Sequence, residues 1–173
     1  LGASFIFFYL LSKKLIVYLL FSGLSIHHFG LWLSHLKSLK KEELKTTEDK
    51  KEVKEKYKHQ ENKVLLLAIL IHLGLLIILK YSSFIGNNIN NFLSLIHLNY
   101  QLKVPHYIMP IGISFYTLAA LSYIIDVKNE TIEADDNLGR LMLYLSFFPS
   151  IMEGPISRYK DTATKLYSGA PIS

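Results

Sequence analysis

Val64-Leu-Leu-Leu-Ala-Ile-Leu-Ile-His-Leu-Gly-Leu-Leu-Ile-Ile-Leu79 carries one ionisable side chain, His72, and is bracketed by Lys63 and Lys80. As a helix this run is about 24 Å long, against bilayer hydrocarbon roughly 30 Å thick. Lysines at both ends can lay their stems along the apolar surface and reach the headgroups, which makes up the difference. Working outward, Leu15–Leu36 and Val104–Ile125 are apolar stretches long enough to cross unaided, and no acidic residue occurs between Glu61 and Asp126. These runs predict an all-α, polytopic transmembrane helical bundle with four to five membrane-embedded helices.

The composition agrees, since half of the 173 residues are hydrophobic although one segment is almost wholly charged. That segment, Lys37–Lys63, holds ten of the nineteen Lys and Arg residues interleaved with seven acids. The net charge of +5 therefore does not mark a nucleic-acid patch, and no nucleic-acid partner is expected. Pairs such as Lys51–Glu55 and Glu52–Lys56 favour helix, whereas the apolar positions look too sparse for a packed core, so a solvated helical or partly disordered loop is expected. Tyr81–Lys103 carries one Lys and no acid. Lysine-rich loops stay in the cytoplasm, which places Lys37–Lys63 inside and Tyr81–Lys103 outside a cytoplasmic membrane crossed several times. Phe92–Leu98 is too short to cross and is expected in the interface or as a re-entrant piece.

Leu1–Leu11 covers half a span, with Ser12-Lys-Lys14 as a turn after it, and the chain opens without Met and stops in a polar stretch. Both ends look cut, as in a fragment of a larger membrane protein. Pro105 and Pro110 sit where a span's first turns tolerate them. Asp126–Asp136 is an acidic loop, cytoplasmic by alternation. Leu138–Met152 is short for a span and admits a re-entrant helix, which must be buried in protein. Arg158, Lys160 and Lys165 with Tyr159 and Tyr167 then read as an interfacial amphipathic segment.

Chemistry is sparse. The absence of cysteine excludes thiol catalysis and cysteine-ligated metal in this chain. No nucleophile elbow, phosphate-binding glycine loop or His-Glu-x-x-His helix occurs. His28 and His35 share a helix face, but no third ligand accompanies them, so no metal site and no cofactor are assigned. His72, His97 and His106 are each open as a base. Two stretches combine helix-breaking residues with polar groups at membrane depth. One is Met109-Pro-Ile-Gly-Ile-Ser-Phe-Tyr-Thr117, continuing to Ser122-Tyr-Ile-Ile-Asp126, and the other is Phe147-Phe-Pro-Ser-Ile-Met-Glu-Gly-Pro-Ile-Ser-Arg-Tyr159. Hydroxyls and breaks of this kind face protein, not lipid. The substrate-path or scaffold candidates are Tyr116, Glu153, Gly154, Pro155 and Arg158, with Glu153 and Arg158 either paired across the Gly-Pro break or lining a path.

These two stretches, with Ser4–Leu36 and the Lys-Tyr-Ser-Ser-Phe84 segment, resemble the N-terminal half of the membrane-bound O-acyltransferase family. The likeness is to its bacterial branch of alginate O-acetylation and D-alanyl-teichoic acid transfer proteins, and it covers nearly all of residues 1–173. The resemblance implies transfer of an acyl group, expected to be acetyl, onto hydroxyls of a cell-envelope polysaccharide or related polymer. It also implies a cytoplasmic acyl donor or carrier and a periplasmic or extracellular acyl-transfer partner beside the lipid bilayer. The family's catalytic histidine stands in a Trp-His context. Trp32 is followed by Leu33, so that base is expected beyond residue 173 and the fragment alone is expected to be inactive. The alternative class is a multi-span transporter or channel component gated near Glu153 and Arg158.

Overall fold

A computed structural model describes residues 6, 16–98, 100–104, 112–146 and 159–160. Among them the secondary structure is entirely helical, in four elements. These are α1 (Ile16–Thr46), α2 (Lys50–Leu95), α3 (Ile113–Lys128) and α4 (Leu138–Leu145). The expected half-span Leu1–Leu11, the turn at Ser12–Lys14, both prolines of the third span and Phe147–Arg158 lie outside the described residues, apart from Ile6.

α1 and α2 are each long and apolar enough to cross a membrane, and they form an antiparallel hairpin. The buried positions of α1 are Leu19, Ser22, Gly23, Ile26, Phe29, Gly30, Leu33 and Leu36. Those of α2 are Val53, Tyr57, Glu61, Val64, Ala68, His72 and Leu79. Both recur every three to four residues, the spacing of one helix face, so each helix keeps a single seam toward the other. The opposite faces remain apolar but uncovered: Val17, Phe21 and Leu24 on α1, and Leu66, Leu70 and Ile78 on α2, are all well exposed. Only 22% of the most apolar window of α2 is buried inside the bundle. A soluble core helix would hide that surface, whereas a lipid-facing helix presents it.

α2 contains the expected span Val64–Leu79 and corrects the expectations on either side of it. The charged stretch from Lys50 onward, the run Val64–Leu79 and the Asn-rich stretch to Leu95 form one helix of 46 residues, while Lys37–Thr46 continues α1. In the charged stretch, Val53 and Tyr57 are buried, so the apolar positions there are numerous enough to pack after all. They face the continuation of α1, where Leu44 packs against the core. Asp49 ends the intervening turn and caps α2, accepting from the backbone N–H of Lys51 and Glu52, each at 3.2 Å. Lys56 does not settle on Glu52 but reaches across the hairpin to both carboxylate oxygens of Glu43, at 2.9 and 3.1 Å, and the Tyr57 hydroxyl donates to the same carboxylate at 2.7 Å. These bonds, Lys56 first and then Tyr57, hold the Glu43 carboxyl below the usual range. Their contribution is present above the ordinary carboxylate pKa and is lost as pH falls through the lowered one.

The Asn-rich stretch stays helical because its amides serve the backbone instead of breaking it. Asn88 donates to the Phe84 carbonyl at 2.8 Å. Asn90 clasps the returning chain, accepting from Leu102 N–H at 2.8 Å and donating to Leu102 C=O at 2.9 Å. Phe92–Leu95 is therefore the last turn of α2, and not a separate re-entrant piece.

The helix expected as a third span begins later and is shorter, at 16 residues, than the run Val104–Ile125 predicts. Val104 is non-helical, and α3 starts after Gly112, whose φ of 76° lies in the left-handed region that glycine adopts without strain. α3 returns alongside the hairpin. Lys80 meets Ser114 at its start, and Lys37 donates to the Val127 carbonyl near its end. Lys37 and the acidic loop thus share one end of the bundle. α4 is only eight residues, about 12 Å. It cannot cross, and it buries Leu141, Met142, Tyr144 and Leu145. Gly23 of α1 leaves room for it, since a Cβ there would fall 1.9 Å from the Met142 sulfur.

Candidate functional site

The structure brings the two polar stretches together. Tyr123, from the first, is fully buried on α3, and Tyr159, the last residue of the second, packs edge-on against it with ring centroids 5.0 Å apart. Tyr144 of α4 closes the other side of Tyr159 at the same spacing, again edge to face. Asp135 ties the rings to the loop after α3. Its backbone N–H donates to the Tyr123 hydroxyl at 2.8 Å, and its carboxylate accepts from the Tyr159 hydroxyl. The other carboxylate oxygen takes the Asn137 N–H at 2.7 Å, and Asn137 caps α4 through Arg140 N–H at 3.2 Å. The fit depends on α1 as well: a Cβ on Gly30 would lie 3.2 Å from the Tyr123 ring and 3.3 Å from its hydroxyl. One glycine therefore admits the ring on which the whole cluster rests.

Of the residues singled out in the sequence, Tyr116 is 1% exposed and faces the bundle. Glu153, Gly154, Pro155 and Arg158 lie outside the described residues, although Tyr159 fixes the end of their stretch on α3. Three buried polar atoms find no hydrogen-bond partner among the described residues: the hydroxyls of Tyr116 and Ser22, and one carboxylate oxygen of Asp126. An unpaired polar group in such surroundings costs about 1–3 kcal/mol. These atoms are therefore the places where the described helices call for a further polar group.

The histidines separate cleanly. His72 is buried at mid-span, with Nδ1 2.8 Å from the Ala68 carbonyl and Nε2 3.4 Å from the Ser22 carbonyl. Its ring lies between α2 and α1, beside one carbonyl of each. His97 is exposed at the end of α2 with φ 56°, and His106 lies outside the described residues. His28 packs beside Trp32. No group of three His, Asp or Glu able to hold a metal occurs among the described residues.

At the charged end a cleft of ≈ 700 Å³ opens between α1 and the loop after α3, with Lys37, Lys40 and Lys41 on one wall and Glu130, Glu133 and Asp136 on the other. Lys37 lies 3.9 Å from Glu130. Partial burial nevertheless pushes its ammonium below the usual lysine range, outweighing the raising effect of that carboxylate. Lys40 is bonded to the buried Glu61 at 3.2 Å. The cleft is thus internally neutralised and carries no nucleophile–base pair. Tyr144 and Asp135, which complete the tyrosine cluster, had no signal in the sequence beyond their residue types.

Comparison with known proteins gives a consistent likeness. The chain is 34% identical over 97 residues to a probable alginate O-acetylase AlgI of Pseudomonas aeruginosa, and 35% identical over 99 residues to that of Pseudomonas syringae pv. tomato. These matches take in 56% and 57% of the chain, but only 18% and 19% of the relatives' lengths. A shorter stretch of 60 residues is 41% identical to the Pseudomonas fluorescens protein of the same name. No family model matches the chain, and no solved structure matches it.

Proposed function

We propose that this chain is part of an integral-membrane O-acyltransferase that moves an acyl group onto hydroxyls of a cell-envelope polysaccharide or related polymer. The observation that carries the proposal is the likeness to probable alginate O-acetylases in a chain with two helices long and apolar enough to cross a membrane. The names of those relatives favour acetyl over D-alanyl as the group moved, and the likeness does not favour a transporter or channel. In the reaction a histidine base takes the acceptor hydroxyl's proton, the oxygen attacks the acyl carbonyl, and the donor departs from that carbon. The resemblance assigns that base to a Trp-His context, which none of the seven histidines here provides. The part of the enzyme described here is wall and scaffold: α1, α3 and α4 hold the second polar stretch against the first through Tyr159.

Glu153 and Arg158 are proposed as members of that wall, either paired with each other or bonded to backbone freed by Gly154-Pro155. Glu153→Gln, Arg158→Gln and the double variant of the full-length protein test this, scored for membrane abundance and for transfer of isotope-labelled acetyl into base-labile polymer esters. A desolvated pair predicts larger losses in each single variant than in the double, because a lone buried charge is left behind. Abundance held with transfer lost in each single variant assigns them to the substrate path. Wild-type behaviour in all three removes them from the site.

A further inference from the structure

We infer that the α1–α2 hairpin holds an anionic phospholipid on its outer face, its phosphate on Lys63 and one acyl chain running along α2 to Gly74. A groove of ≈ 370 Å³ lies where both helices change from apolar to charged, lined by Trp32, Leu36, Gln60, Lys63, Val64 and Leu67. No carboxylate lines it. The neighbouring acid, Glu61, is buried and bonded to Lys40, and no ion pair to Lys63 occurs among the described residues. The groove therefore offers one uncompensated cation at headgroup height, which an anion completes and a zwitterion completes less well. Trp32 forms a fixed wall. It is 42% exposed, stacked on Phe29 at 6.4 Å with the planes 9° apart, and flanked by His28. An amphipathic ring in that position belongs at the level of the headgroups.

Below the groove the same face of α2 carries Leu67, Leu70, Gly74, Ile77 and Tyr81, which follow Lys63 at helical spacing. Leu67, Leu70 and Ile77 are exposed and apolar. Gly74 interrupts them with a dent: a Cβ built there meets nothing within 4 Å, so no helix among the described residues requires the glycine. From Lys63 to Gly74 is about 16 Å along the helix, close to the roughly 15 Å thickness of one leaflet. Headgroup site, apolar track and dent together match the dimensions of a single lipid in the leaflet at the charged end. The inference does not depend on acyl transfer.

The test uses the full-length protein, stripped of lipid in detergent and offered phosphatidylglycerol or phosphatidylcholine, with retained lipid counted by native mass spectrometry. Wild type is expected to retain phosphatidylglycerol preferentially. Lys63→Gln should reduce that preference roughly fivefold, the effect of one lysine at an anionic surface. Gly74→Leu fills the dent without an internal clash, so retention of both lipids should fall while the yield of folded protein holds. Equal retention of the two lipids by wild type overturns the inference. So does a Lys63→Gln protein with unchanged preference, or a Gly74→Leu protein with unchanged retention, which would mean that another part of the protein covers the face.

Discussion

Gly30→Val is expected to reduce folded protein in the membrane and abolish acyl transfer in whatever remains. A Cβ at Gly30 lies 3.2 Å from the Tyr123 ring, and a valine adds two methyl groups beyond it. Tyr123 has no room to yield, being fully buried, hydrogen-bonded through its hydroxyl to Asp135 N–H and packed on Tyr159. Overpacking of this kind costs about 1–3 kcal/mol, a large share of a marginal stability. In the companion Gly30→Val/Tyr123→Ala, removing the ring relieves the overlap but leaves a cavity and takes away the seat of Tyr159. Abundance, measured by detergent-stable protein per cell, should therefore stay below wild type, and transfer should not return. Normal abundance in Gly30→Val alone would show that Tyr123 is free to move, and the cluster would lose its structural role.

The second large effect is expected at Lys40 and Glu61. Glu61 is 5% exposed, and its carboxylate meets the Lys40 ammonium at 3.2 Å. Lys40→Met should destabilise the hairpin by roughly 1–3 kcal/mol by stranding a buried carboxylate. That is below the 3–5 of a wholly buried pair, because the lysine side chain keeps 22% of its surface exposed and part of the interaction is screened. Glu61→Leu should cost less, since the freed ammonium can turn to water. The double variant Lys40→Met/Glu61→Leu should be near wild type, two apolar groups replacing two charges in one seam. Thermal unfolding of the full-length protein in detergent reads all three. Additive losses would mean that the two charges do not meet.

Much of this architecture is legible in the residues. The uninterrupted apolar runs dictate helices, and the hydroxyl-bearing face of α3 dictates burial, as Tyr116 and Tyr123 show at 1% and 0% exposure. The continuity of α2 is not legible. Val53, Tyr57 and Glu61 sit at seam spacing, but each is surrounded by lysines, and a window average sees only charge. Their burial depends on the continuation of α1 running antiparallel beside them, a fact of tertiary packing. The start of α3 is not legible for a local reason, since Gly112 adopts a left-handed conformation that composition does not announce. In the candidate site, the sequence identifies both polar stretches but not what joins them. Asp135 looks like any acid of an acidic loop until the turn after α3 swings it between Tyr123 and Tyr159.

The central claim is acyl transfer to a cell-envelope polymer, and its most direct test is chemical. Base-labile acetyl ester should be measured on envelope polysaccharide from cells lacking the gene for this protein, and again after the full-length gene is restored. Loss of the ester on deletion and its return with the wild-type gene, but not with Gly30→Val/Tyr123→Ala, is the predicted result. Ester content unchanged by the deletion would contradict it.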